Sequence, residues 1–290
     1  MPSHPIAKND VHLWFLPDGA TEIERLCAAG DDLLSPDERQ RYQSYRHSGR
    51  AKQFLLGRIL MRRGLAAHLA ADAAELRFSH GPAGKPELHP AIAGGLVFSL
   101  SHAGSCAVLA IVRGERIGVD FEMSGRASTV LGIALQFFSD AEKRQLESQG
   151  AAAAQAIALW GLKESIARAS GSSIWQGLSA VRLALDGAHI EWLSAPPDGR
   201  AANWLLLSGR YQSDHVLALA LQRKQPMSEE QKIHIHDLGN EPADAGCLKI
   251  TSSSSPLRLP FRGRADRSAG APWQTGTGCC RNWSRQRRRN

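Results

Sequence analysis

Hydrophobic and polar positions change period several times along the chain, and the changes mark out its elements. Residues 11–16, Val-His-Leu-Trp-Phe-Leu, read as a first strand. Leu34-Ser35-Pro36-Asp37-Glu38 then marks a helix start, with Ser35 as N-cap, Pro36 at the first helical position and Glu38 completing a capping box. A second helical stretch runs from about Ala51 to Leu69, where apolar Phe54, Leu55, Ile59 and Leu65 stand among basic Lys52, Arg58, Arg62 and Arg63. Val97–His102 is a short strand, followed by Ala103-Gly104 and a second apolar strand to about Val112. After the Arg113-Gly114-Glu115 turn comes an extended segment, Ile117–Glu122. Thr129–Phe138 and Ala151–Arg168 are helical in pattern, the second ending near Gly171, and Ser139 with Glu142 forms another capping box. Ala180–Leu185, His189–Leu193, Trp204–Tyr211 and His215–Leu221 alternate as strands.

Strand, helices and strands over residues 1–112 are echoed over 113–225. This predicts an α+β fold of two similar halves in a pseudo-twofold arrangement. Beyond Gln225 no sustained period of 2 or 3.6 appears, and Thr251 is followed by four serines. Such a segment buries too little apolar surface to offset its ordering entropy, so residues 226–290 are expected to be a disordered basic tail whose removal is tolerated.

Charge adds one correction to a first impression. The formal net charge of +7 points towards nucleic acid, but residues 226–290 carry 11 basic against 6 acidic side chains. The preceding 225 carry 24 against 22, so the body is nearly neutral and no specific nucleic-acid partner is expected. No run of about 18 apolar residues appears, nor the basic-then-apolar order of a signal peptide, and the expectation is a cytoplasmic protein without a membrane partner. Cys27, Cys106, Cys247, Cys279 and Cys280 form no CxxC pair and are read as reduced thiols.

Candidate chemistry centres on two stretches about forty residues apart. In Ile117-Gly-Val-Asp-Phe-Glu122, a period of two sends Asp120 and Glu122 off the same face of an extended segment. In the later helix Trp160, Glu164 and Arg168 recur at i, i+4 and i+8 on one face. Asp120, Glu122 and Glu164 over one cation would be a hard-oxygen site, suited to Mg²⁺ or Mn²⁺ and to attack at a phosphoryl group of a pyrophosphate. His102 and Lys85, with the basic helix, supply positive charge on the other side. Taken singly, each residue has a structural explanation: a solvated basic face, a strand-end histidine, or surface Lys163 and Glu164. Three functions therefore stay open at this level: a Mg²⁺-dependent transferase, a Mg²⁺-dependent phosphodiesterase or pyrophosphohydrolase, and a non-catalytic binding protein with a basic tail.

The ordered set Gly84-Lys85-Pro86, Phe98-Ser-Leu-Ser-His102, Gly118-Val-Asp-Phe-Glu122, Phe137-Phe-Ser139 to Glu142, and Trp160-Gly-Leu-Lys-Glu-Ser165 resembles the 4'-phosphopantetheinyl transferases. The resemblance covers about residues 11–222 and, by length, the long pseudodimeric, monomeric type that activates surfactin synthetase. It implies transfer of the phosphopantetheine arm of coenzyme A to a serine of a small, acidic, helical apo carrier protein, with release of adenosine 3',5'-bisphosphate. Asp120, Glu122 and Glu164 would then bind Mg²⁺, and Glu164 would accept the serine proton. Lys163 and Arg168 would contact the phosphates, and Ser101 and His102 the nucleotide phosphates. Gly84, Lys85 and Pro86 would border the adenine, and Lys52 and Arg58 would serve the 3'-phosphate. Arg168 stands where the family usually has lysine, Ser99 where it has Asn, and Ala103 where it has Ser. A basic and apolar docking surface for the carrier is expected around Arg126, Leu131, Ile133 and Leu135.

Overall fold

The computed structural model describes residues 6–16, 20–81, 84–148, 152–173, 175, 178, 181–186, 189–194, 200–212, 214–224, 231–238, 246–250 and 276–278. In chain order the first elements are β1 (Asp10–Phe15), α1 (Ala20–Ala28), α2 (Pro36–Ser44), α3 (Ser48–Ala66), β2 (Phe78–His80), β3 (Pro86–Leu88) and α4 (Pro90–Ala93). β4 (Leu96–Ala103), β5 (Cys106–Arg113), β6 (Arg116–Met123), α5 (Ala127–Phe137), α6 (Asp140–Ser148) and α7 (Ala152–Ser170) follow. The remainder are β7 (Leu183–Asp186), β8 (His189–Trp192), β9 (Trp204–Tyr211), β10 (His215–Gln222), β11 (Gln231–Asp237), β12 (Gly246–Ile250) and β13 (Gly276–Gly278).

Alternation along the strands sorts these elements into layers. The first sheet runs β12-β11-β1-β5-β4 and the second β13-β9-β10-β6. From β1, Val11, Leu13 and Phe15 point between the sheets, where they join Val108 and Ala110 of β5, Val119 and Phe121 of β6, and Leu219 of β10. Trp14 and the following Leu16 turn the other way, onto Leu56, Ile59 and Leu60 of α3 and its neighbours. On the far side of the second sheet, Ala218 and Ala220 of β10 share a core with Ile157, Trp160 and Ile166 of α7 and with Val130 and Ala134 of α5. The order is therefore helices, sheet, sheet, helices: an α+β fold in which each sheet buries both faces.

Local signals set the helix boundaries. Glu38 N–H donates to Ser35 Oγ at 3.3 Å and Ser35 N–H to Glu38 Oε2 at 3.0 Å, closing the capping box at α2. The same Glu38 holds Arg62 at 2.7 Å, and the Arg62 guanidinium also donates to the carbonyls of Ala73, Ala74 and Leu76. Arg62 is thus a buried strut of the α3 layer rather than part of a basic face. Gly171, at φ +71°, ends α7 in the left-handed conformation that glycine adopts without a steric penalty.

One expectation needs correction. Residues 231–237, assigned above to a disordered tail, form β11, paired in parallel with β1 from Asp10↔Lys232 to Phe15↔Asp237. Ile233 and Ile235 are buried between the sheets and Leu238 against the α3 layer. Seven alternating residues are too few to stand out from a polar background, and the partner that makes them a strand lies at the other end of the chain. The serine run and the terminal arginines lie outside the described residues.

Candidate active site

The site begins with two glycines that let α7 lie directly on the second sheet. A methyl group on Gly118 of β6 would stand 2.7 Å from Ala169 N and 2.8 Å from the Ser165 carbonyl carbon, well inside contact. On Gly161 of α7 it would meet Ala218 Cβ at 3.1 Å and Asp120 Oδ2 at 3.4 Å. Without these side chains the helix and strand close together. Ser165 Oγ then donates to Ala218 O at 3.0 Å, and Lys85 Nζ donates to Ile117 O at 2.9 Å and to Arg168 O at 3.2 Å.

In β6, Ile117, Val119 and Phe121 enter the inter-sheet core, so Asp120 and Glu122 face α7. There they meet the Glu164–Arg168 face of the helix. Arg168 Nη2 donates to Glu164 Oε2 at 2.9 Å and to Asp120 Oδ1 at 3.2 Å, while its Nη1 reaches Leu100 O at 3.2 Å. Ser101 Oγ donates to Asp120 Oδ1 at 3.2 Å and accepts from Phe121 N–H at 3.1 Å. Asp120 Oδ2, fully buried, accepts no hydrogen bond from any of the described residues.

The electrostatics follow from that burial. Desolvation, reinforced by Glu164 and Glu122 and opposed by Arg168, pushes Asp120 up to about 8. Burial also raises Glu122, against the pull of Arg126, whose Nη1 lies 2.6 Å from Glu122 Oε2. Three carboxylates thus share a pocket with two guanidiniums, and Asp120 remains short of positive charge. Among the described residues, the groups that bring three ligand atoms within 4.8 Å of one another lie elsewhere, on the first sheet. The three acids do not all come that close together: Asp120 and Glu164 are in side-chain contact and share Arg168 Nη2, while Glu122 is turned to Arg126.

Other expected site residues fall into three groups. Lys163 is a correction. Its side chain is buried and turned away from the acids, and its Nζ lies 2.8 Å from Glu142 Oε1 and donates to Leu178 O at 3.0 Å and Val181 O at 2.7 Å. One residue along a helix is about 100° of rotation, so Lys163 cannot share the Glu164 face. Ser101 and Lys85 are also spent inside the protein: the hydroxyl positions Asp120, and the ammonium ties β6 to the end of α7. Burial lowers Lys85 to about 8. Arg58 is paired with Glu38 at 3.4 Å and lies over the Phe54 ring at 5.0 Å. By contrast His102, Gly84 and Lys52 are exposed, and Pro86 is partly buried in β3.

Residues that the sequence did not single out hold this arrangement. Glu142, whose capping box was legible, also accepts from Leu183 N–H and Lys163, so one carboxylate joins α6, α7 and β7. Gly161, at mid-helix beside Trp160, carried a readable sign, because glycine there weakens a helix unless something must approach it closely.

Comparison with known proteins adds family relationships to this geometry. Residues 24–113 match the family described as 4'-phosphopantetheinyl transferase, N-terminal, and residues 116–220 match the 4'-phosphopantetheinyl transferase superfamily. The chain is 32% identical to the Synechocystis sp. protein slr0495 over 178 residues, 61% of this chain and 72% of that one. It is 29% identical to the 4'-phosphopantetheinyl transferase HetI of Nostoc sp. over 201 residues, covering 68% and 83% respectively. Against the 4'-phosphopantetheinyl transferase Sfp of Bacillus subtilis it is 30% identical over 162 residues, 53% of this chain and 69% of Sfp.

Proposed function

This chain belongs to the 4'-phosphopantetheinyl transferase superfamily, and on that premise we propose that the carboxylates where β6 meets α7 carry its reaction. The reaction is transfer of the phosphopantetheine arm of coenzyme A to a serine hydroxyl of an apo carrier protein. The serine oxygen bonds to the phosphorus that bears the pantetheine, the pyrophosphate P–O bond breaks, and adenosine 3',5'-bisphosphate leaves. The observation that carries this reading is Asp120: buried, pushed up to about 8 by burial and by Glu164, and with Oδ2 unpartnered.

Those properties fit a divalent cation, because a buried carboxylate crowded by two others gains most from added positive charge. Asp120, Glu122 and Glu164 are hard oxygen donors that would hold Mg²⁺ or Mn²⁺. Bound there, the ion would neutralise charge developing on the pyrophosphate oxygens. The remaining roles belong to the chain. Ser101 holds Asp120 in register through its Oδ1, and Glu164, at the edge of the pocket, accepts the serine proton directly or through one water. Arg168 spans two of the acids and offers a permanently charged guanidinium to phosphate oxygens. It stabilises charge but donates no proton near neutral pH. We assign exposed His102 and Lys52 to the nucleotide phosphates, and Gly84 and Pro86 to the adenine.

The carrier would dock beside these acids. Of the residues expected there, Leu135 is 42% exposed, whereas Leu131 and Ile133 pack against the α7 core; Met123 and Phe137, 41% and 48% exposed, and Arg126 between β6 and α5 complete the candidate surface. An apolar patch with a basic member suits a small acidic helical partner. We read the transferase as two related halves, 1–112 and 113–225, with β11 added to the first sheet from beyond them, acting as a cytoplasmic monomer. Two 19-residue helices, α3 and α7, each packed across a sheet, support that division.

The test is mass spectrometry of an apo carrier protein incubated with the chain, coenzyme A and Mg²⁺, with and without EDTA. A metal-dependent mass gain of one phosphopantetheine arm is expected, abolished by Asp120→Ala and by Glu164→Ala. Consumption of coenzyme A without any carrier would identify a hydrolase instead, and near-normal turnover of either variant would refute the metal assignment.

A further inference from the structure

On the opposite face of the first sheet, away from β6, lies a cluster of imidazoles that the transfer reaction does not use. In the parallel β1–β11 pair His12 stands opposite His234 and Trp14 opposite His236. All four side chains leave the face turned from Val11, Leu13, Ile233 and Ile235. His68, in the turn after α3, packs onto the same spot: its ring centroid is 4.5 Å from that of His12, edge to face. His12 and His68 are buried, and His236 is partly buried.

We propose that His12, His68 and His236 form a binding site for a borderline divalent transition metal ion of the zinc type. One ring nitrogen from each lies within 4.8 Å of the other two. His12 Nδ1 and His236 Nε2 are 2.9 Å apart. Ligand nitrogens about 2.0–2.1 Å from a tetrahedral ion stand roughly 3.3 Å from one another, so small side-chain shifts open the site. Imidazole donors select Zn²⁺, Co²⁺, Ni²⁺ or Cu²⁺ over Mg²⁺, which keeps this site chemically distinct from the acids at α7. His234, with Asp10 Oδ2 3.3 Å from its Nε2, flanks the cluster and places a carboxylate within reach of a second sphere.

The ligands come from β1, the turn after α3, and β11. A bound ion therefore clips the last core strand to the first, and it stabilises the native chain by the free energy of its binding. Trp14 reports on the event. Its Nε1–H donates to His68 Nε2 at 3.1 Å and its ring stacks on His236 at 4.4 Å. An ion held by His68 and His236 draws on both imidazoles that touch this indole, so loading changes its surroundings.

The experiment uses the full chain without an affinity tag, stripped of metal and held in excess Mg²⁺, and titrates it with Co²⁺. One equivalent should give visible d–d absorption and a change in tryptophan emission, reversed by Zn²⁺, with a raised thermal midpoint. His68→Ala and His236→Ala should each weaken Co²⁺ by at least about tenfold, since even outer-sphere changes cost 10–100-fold. Glu164→Ala should leave the spectrum intact. Because His68 is buried, the more accessible His236→Gln serves as the second variant, with circular dichroism as the check on folding. Absence of the d–d band at one equivalent overturns the site. So does a band that survives both His236 variants, one lost in Glu164→Ala, or a near-ultraviolet thiolate-to-cobalt band that places the ion on cysteine.

Discussion

Replacing Gly118 with alanine tests whether contact between β6 and α7 sets the chemistry. The added methyl would lie 2.7 Å from Ala169 N and 2.8 Å from the Ser165 carbonyl carbon, and closer still to the Ser165 oxygen. All three are helix backbone, which cannot rotate aside as a side chain would. An ordinary contact begins at 3.4 Å, so the helix must withdraw by at least about 0.7 Å, and by more to clear the oxygen. Overpacking of this kind costs about 1–3 kcal/mol. The larger consequence is functional, because the displaced helix carries Glu164 and Arg168 away from Asp120. A misplacement of about 1 Å in a positioned site can cost about 10²-fold in rate. The assay is the turnover number for carrier modification per folded molecule, read beside urea unfolding of the same sample. Gly161→Ala is the comparison: its methyl meets a side-chain carbon at 3.1 Å and should cost less on both measures. A Gly118→Ala protein within twofold of the parent in rate, with an unchanged unfolding midpoint, would refute the reasoning.

Further expectations follow from the same geometry. Lys163→Ala takes the cation away from the buried Glu142 carboxylate, and should cost about 3–5 kcal/mol in urea unfolding, while turnover per folded molecule stays within a few-fold. Lys163→Met combined with Glu142→Gln should recover part of that loss, and a turnover collapse in a well-folded Lys163 variant would return the lysine to the reaction. Lys85 gives a pH signature. With a native value of about 8 against 10.5 unfolded, the native chain binds fewer protons across that window, so its contribution to stability rises with pH from about 8 to about 10.5. Unfolding of the parent and of Lys85→Met at both ends of the window should show the parent gaining on the variant, and a flat or falling difference would contradict the burial of this amine. Truncation after Gln225 should be destabilising, against the expectation from composition. It exposes the seats of Ile233, Ile235 and Leu238, an upper estimate of about 4.5–9 kcal/mol at about 1.5–3 per side chain, comparable to the whole stability of a domain. A truncated chain with an unchanged thermal midpoint would show that β11 adds nothing.

Much of the local structure was legible because its causes are local. Capping boxes at Ser35 and Ser139 depend on residues three apart, and both are formed. Alternation in β6 was enough to put Asp120 and Glu122 on one face, and helical spacing to put Glu164 and Arg168 on one face. The sequence alone therefore determined the α+β class, the order of its main elements, and which acids belong together. Helical spacing also takes Lys163 off the Glu164 face, but where it goes was not legible, because Glu142, Leu178 and Val181 are brought to it only by packing. Ser101 and Lys85 looked equally suited to a phosphate or to the protein's own carbonyls and carboxylates, and proximity to Asp120, Ile117 and Arg168 decided between them. The strand at 231–237 and the imidazole cluster were the least readable. Each joins β11 to segments more than 150 residues earlier in the chain, as in the pairing of His12 with His234, and no local period encodes a partner at that distance. Tertiary packing alone decided them, since an alternating polar heptamer becomes a strand only when a buried neighbour has backbone groups left to pair.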